Sequence, residues 1–216
     1  MNWEQVTWDE AEVMLSQVQD NMGQRIDGGI LAPVVGLNLL GYHTTASCEG
    51  HLNWGCPYPW IEFYREVTYP DYEWATRTAF SQETEIALRD KLIAQMQMRT
   101  LLTQFTQQDF LYQALEALLA DYAAMQKASN LEHESASVLL VPFAPGWYRL
   151  LAAEPDRWQR WDESERMENT TWWDETPSQE QERTLARAQA EMATFTMFLK
   201  ARYESRVKRV SYLPTV

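Results

Sequence analysis

Apolar residues recur every three or four positions along much of this chain, and in a few short stretches they give way to β-branched and aromatic runs. Thr7 and Glu10 have the spacing of a capping box. Behind them Ala11, Met14, Val18 and Met22 form a stripe that predicts a helix ended by Gly23. Asp27-Gly28-Gly29 predicts a turn. Ile30 to Leu40 then reads as a second helix, apolar on every side, with Pro33 in its first turn and Gly41 at its C-terminal cap.

Tyr42 to Ser47 is rich in β-branched and aromatic residues and predicts a strand. Residues 48–59 predict a loop punctuated by Gly50, Gly55, Pro57 and Pro59, and Trp60 to Tyr64 a second strand. Residues 65–80 show no clear period and read as irregular. Two helices are expected next, Gln82 to Phe105 and Asp109 to Lys127; in the latter Phe110, Ala114, Leu118 and Tyr122 repeat beside Leu111, Leu115 and Leu119. Ser137 to Phe143 and Trp147 to Ala152 flank Ala144-Pro145-Gly146, the pattern of a hairpin. Residues 154–176 are polar, acidic and rich in tryptophan. Thr176-Pro177, with Gln179 completing a capping pattern, opens the longest helix. Its buried stripe is Leu185, Ala188, Met192, Phe195, Leu199 and Tyr203.

These elements predict an α+β fold: helices packed on a small sheet of about four strands, with a long C-terminal helix. The 216 residues are expected to form a single domain, 1–216. Its core spans about 7–152, and the acidic segment 154–176 and the long helix 177–205 pack on it.

Charge narrows the functional classes. The net charge of -13 sets up a field that repels nucleic-acid backbone and anionic membrane, so neither is an expected partner. The N-terminus lacks a basic region followed by an apolar run, and no stretch of about 18 apolar residues occurs, so neither export nor a membrane span is expected. The expected compartment is the cytoplasm, where thiols stay reduced. No glycine-rich phosphate loop follows a strand, so the common nucleotide fingerprints are absent.

The candidate chemistry is concentrated. Both cysteines and two of the three histidines, His43, Cys48, His51 and Cys56, fall in the stretch YHTTASCEGHLNWGC. The spacing His-x4-Cys-x2-His-x4-Cys suits a tetrahedral zinc set built within one loop. If residues 42–48 form a strand, His43 and Cys48 point to opposite faces. The favoured ligands are then Cys48, His51 and Cys56, with water, Glu49 or the distant His133 as fourth partner. Three protein ligands and an open position is the arrangement of catalytic zinc. A second reading makes Cys48 a thiol nucleophile, with His51 as its base, Glu49 beside them and the turn's backbone amides stabilising the anion. Ser47, Gly50, Trp54, Tyr58 and Trp60 would line the ligand pocket in either case. A third reading is structural: free cysteine is often a small buried hydrophobe, and the glycines only make the turn.

The segment DGGILAPVVGLNLLGYHTTASCEGHLNWGCPYPWIEF resembles a motif of small bacterial and phage proteins of unassigned activity. In these a helix ends in L-N-x-x-G, a T-x-x-S-C-x-G-H phrase follows, and a strand like P-Y-V-x-F comes next. The matching positions here are Leu37, Asn38, Gly41, Thr44 or Thr45, Ser47, Cys48, Gly50, His51, Pro59, Ile61 and Phe63. The phrase is also similar to one in the wybutosine-synthesis tRNA methyltransferases, matched by Tyr42, Thr44, Thr45, Ser47, Cys48 and Gly50. That resemblance implies S-adenosylmethionine and a tRNA substrate. His51 stands where that family has arginine, which removes an anion-binding fork, and Glu49 where it has serine.

Two further clusters are candidates. Trp158, Trp161, Trp172 and Trp173 lie in the acidic segment. They either pin a long loop to the body or form a protein-binding surface, which would make the chain a non-catalytic interaction module. Arg202, Arg206, Lys208 and Arg209 suit the C-terminal end of a helix dipole, and could alternatively hold phosphate.

Overall fold

A computed structural model describes residues 3–19, 23–53, 56–81, 88–129, 136–159, 173 and 176–211. Its helices are α1 (Trp8–Leu15), α2 (Gly28–Leu39), α3 (Pro70–Ala79), α4 (Leu88–Thr106), α5 (Phe110–Ala128) and α6 (Ser178–Ser211). Its strands are β1 (Ala46–Cys48), β2 (Trp60–Tyr64), β3 (Ser137–Ala144) and β4 (Trp147–Ala153). They form one antiparallel sheet in the order β1-β2-β4-β3. The expected α+β architecture with a long C-terminal helix is the observed one.

α2 is the central element. Ile30, Val34, Val35, Leu37 and Leu39 are all buried on different sides of it. A helix apolar all round must be covered all round, and here α1 and α6 lie against it. α6 supplies Ala188, Met192, Phe195 and Leu199, all fully buried, in the stripe its sequence predicts. Burying side chains of this size stabilises a fold by about 1.5–3 kcal/mol each. The sheet adds Ile61 and Phe63 from β2 and Tyr148, Leu150 and Leu151 from β4.

The L-N-x-x-G phrase ends α2 by a specific device. Gly41 adopts φ 93°, which a residue with a side chain rarely takes. Its N–H donates to the Asn38 carbonyl, and the Tyr42 N–H donates to the Leu37 carbonyl. These two bonds make a Schellman motif. The buried Asn38 amide donates to the Val34 carbonyl and to Thr44 Oγ1, tying the chain after the helix back onto it.

Three expectations are corrected. The first helix stops at Leu15 rather than running to Gly23, because Ser16 and Gln17 turn the chain with bonds to Glu12, Met14 and Val13. The first strand is Ala46–Cys48, not Tyr42 to Ser47; Asn38 and the Glu62 carbonyl hold Thr44 and Thr45 instead. Residues 70–79 form α3, opened by Pro70 and carrying Tyr72, Ala75 and Ala79 inward. Its apolar stripe is short and two of its three residues are alanine, which left it faint in the sequence. The predicted start of α4 at Gln82 lies outside the described residues.

At the sheet's far end Asp109 caps α5, accepting the N–H groups of Leu111 and Tyr112. Its buried carboxylate also meets the Arg65 guanidinium at 2.5 Å. No described helix is long and apolar enough to cross a membrane.

Candidate metal centre

Antiparallel pairing sets Cys48 opposite Trp60 at the edge of the sheet. The chain then turns through Glu49 and Gly50. Gly50 takes φ 82° and donates its N–H to Cys48 Sγ at 3.4 Å. A Cβ there would lie 2.9 Å from the Pro57 carbonyl oxygen and 3.0 Å from Pro59 N, so glycine is required by both conformation and space.

This turn is clamped to the start of α2 by two reciprocal bonds. The Gly29 N–H donates to Glu49 Oε2 at 2.9 Å, placing a carboxylate on the positive end of α2. In return the Glu49 N–H donates to Asp27 Oδ2 at 3.3 Å. Asp27 is thus the N-cap residue of α2 without capping it through its own side chain. Further support comes from α6, where the Gln189 amide donates to the Glu49 carbonyl, and from Trp173, whose indole N–H donates to the Leu52 carbonyl.

The result is a group of three dissimilar donors. An Asp27 carboxylate oxygen, Cys48 Sγ and a His51 ring nitrogen all lie within 4.8 Å of one another. His51 Nε2 is 3.8 Å from Asp27 Oδ2. An oxygen, a sulfur and a nitrogen converging in this way could hold a metal ion. Burial pushes the Cys48 thiol up from its ordinary value. The Gly50 N–H partly offsets this, and the Asp27 and Glu49 carboxylates add to it. The metal-free thiol is therefore protonated near neutral pH, the opposite of what an unassisted nucleophile needs.

The structure brings Cys48 and His51 together as the spacing suggests, and the third member of the group is Asp27. Cys56 does not join the group. Its backbone carbonyl accepts the His51 N–H at 3.4 Å and closes the loop, while its side chain packs against the core. Glu49, expected as a catalytic group or fourth ligand, has its carboxylate engaged by Gly29 and so positions the turn. His43 is exposed and outside the group, and since it precedes β1 the strand-alternation argument does not bear on it. His133 and Trp54 lie outside the described residues.

The expected pocket walls divide. Ser47 lies in β1, half-buried beside the site. Trp60 is covered by the Arg149 guanidinium, 4.0 Å from the ring centroid, and Arg149 is itself bonded to Glu62. Tyr58 is not a wall: it is fully buried, with its ring against Trp158 and Trp173. These two tryptophans are themselves buried. Trp161 and Trp172 lie outside the described residues. In the basic cluster, Arg202 pairs with Asp121 and Arg206 donates to the Leu39 carbonyl.

Fold and site together define a small α+β protein with an Asp/Cys/His cluster where a β-turn meets a helix N-terminus. No protein-family model, curated protein or solved structure matches this chain.

Proposed function

We propose that this protein binds a zinc ion through Asp27, Cys48 and His51, leaving a fourth position for water or a ligand oxygen. The observation that carries the reading is the convergence of three different donor atoms within 4.8 Å, held by groups from two separate segments. The ligand chemistry supports zinc. Thiolate and imidazole favour it over magnesium or calcium, which take oxygen ligands. Bound metal would also deprotonate the Cys48 thiol, which burial otherwise keeps neutral.

Each residue of the turn has a part in this reading. Cys48 anchors the ion to the sheet edge and His51 supplies the ring nitrogen. Asp27 couples the ion to the start of α2, and Glu49 and Gly50 keep the turn in register. A site with three protein ligands suits polarising or hydrolysing a small bound molecule, because the ion keeps an exchangeable position.

The test is metal content of the untagged protein, purified without chelator, by elemental mass spectrometry. About one zinc per chain is expected in the wild type and in Cys56→Ser. Cys48→Ser and Asp27→Ala should lose it while keeping the fold. A wild type without zinc overturns the proposal. So does a zinc that survives Asp27→Ala and disappears in Cys56→Ser, which would restore the ligand set read from spacing alone.

A further inference from the structure

A second polar site lies on another face of α6, away from the face that supports the Cys48 turn. Arg157, Arg183, Arg187, Glu180 and Thr184 line a cavity of about 330 Å3, with Pro177 and Gln179 beside them. Three arginines and one glutamate leave two positive charges on the lining of a chain whose net charge is -13. Local charge therefore opposes the global field.

The arginines are held in different ways. Arg157 is fixed between Glu154 and Glu180, and Arg187 donates to Glu154 at 3.2 Å. Arg183 has no hydrogen bond or ion pair to a described residue, although its charge acts on Glu180. Glu154 and Glu180 thus lock two guanidiniums as a frame and leave the third with all its donors available.

Thr184 carries the inference. It is 2% exposed, yet its hydroxyl has no hydrogen-bond partner among the described residues. Threonines inside helices ordinarily return the hydroxyl to a carbonyl three or four residues back. Thr194 and Thr196 of the same helix do so, to Ala190 and Met192. Thr76, Thr78, Thr100 and Thr103 do so as well. Thr184 lines the cavity and forgoes this bond, which leaves its hydroxyl open to a partner from the cavity. A ligand oxygen in the cavity would satisfy it.

We infer that this cavity binds a phosphate group, free or as a small monoester, through the Arg183 guanidinium and the Thr184 hydroxyl, with Arg157 and Arg187 supplying the surrounding positive field. Arginine's planar fork matches phosphate oxygens in pairs, and a phosphate has acceptors enough for the hydroxyl too. The cavity is at the small end of ligand sites, which suits a compact anion. This inference is independent of the metal site.

The experiment is titration of the full chain with inorganic phosphate, glycerol 3-phosphate and acetate in low-salt buffer, read by calorimetry. Saturable phosphate binding is expected, weakened about tenfold or more by Arg183→Gln and by Thr184→Val. Both variants should melt like the wild type without ligand, since Arg183 is exposed and Val matches Thr in shape. Tighter binding of glycerol 3-phosphate assigns the site to monoesters, and tighter binding of phosphate assigns it to the free ion. The inference is overturned if the wild type shows no saturable binding, if neither variant weakens it, or if acetate binds as tightly as phosphate.

Discussion

Replacing Gly50 by alanine tests whether the Cys48 turn is as tightly specified as its geometry implies. Two costs are visible. A side chain at φ 82° carries a left-handed backbone penalty of about 1–2 kcal/mol. The new Cβ would also sit 2.9 Å from the Pro57 carbonyl oxygen, 3.0 Å from Pro59 N and 2.9 Å from Leu185 Cδ1. Two of these atoms are backbone and cannot rotate away, so overpacking adds about 1–3 kcal/mol. The sum is about 2–5 kcal/mol, which for a chain of this size lowers the melting temperature by about 4–20 °C. The assay is thermal melting with urea denaturation, where the midpoint should fall at constant slope. Gly28→Ala is the internal control. Nothing lies within 4 Å of its added Cβ, so its change should stay within about 1 kcal/mol of wild type. Equal melting of the two variants would refute the reasoning, because it would mean the turn adapts freely.

Two further predictions concern buried carboxylates away from the turn. Burial pushes the Asp109 carboxyl up, but bonds from Tyr148, Arg65 and the N–H groups of Tyr112 and Leu111 outweigh it and hold it below the ordinary range. A depressed value stabilises the fold above the unfolded pKa of about 3.9 and is lost as pH falls through the folded value. Asp109→Asn, which keeps the cap, should therefore cost about 1–3 kcal/mol at pH 7 and progressively less below about pH 4. A difference equal at pH 7 and pH 3 in denaturant titrations would contradict this. Glu191 is 2% exposed and accepts from Tyr122 Oη at 3.0 Å and Gln126 Nε2 at 2.9 Å. Glu191→Ala strands the Tyr122 hydroxyl, while Gln126 Nε2 keeps its bond to Tyr122 Oη at 3.0 Å, and should cost about 1–3 kcal/mol, whereas Glu191→Gln keeps an acceptor and should stay within about 1 kcal/mol of wild type. Equal stability of the alanine variant and wild type would rule out the network as a stabilising contact.

Local pattern alone determined most elements of this protein. The α2 apolar run, Gly41 at its end, the Trp60–Tyr64 strand, the hairpin around Gly146 and the α6 stripe are each set by side chains within a turn or two of one another. Such signals survive in a linear reading because helix and strand periods are local properties. The pairing of Cys48 with His51 was legible for the same reason: a glycine turn brings close neighbours together. The third donor was not. Asp27 looks like an ordinary residue before a helix, and its carboxylate reaches the site because α2 packs beside β1 and exchanges hydrogen bonds with Glu49. The fate of Cys56 was equally hidden, since its spacing suits a ligand but its side chain packs against the core. Thr184 and Arg183 carried no sequence signal, being one threonine and one arginine on a polar helix face. Only the docking of α6 beside Arg157 made them the lining of a cavity. Sequence determined the pieces through short-range sterics and burial, and tertiary packing decided which distant polar groups would have to share one place.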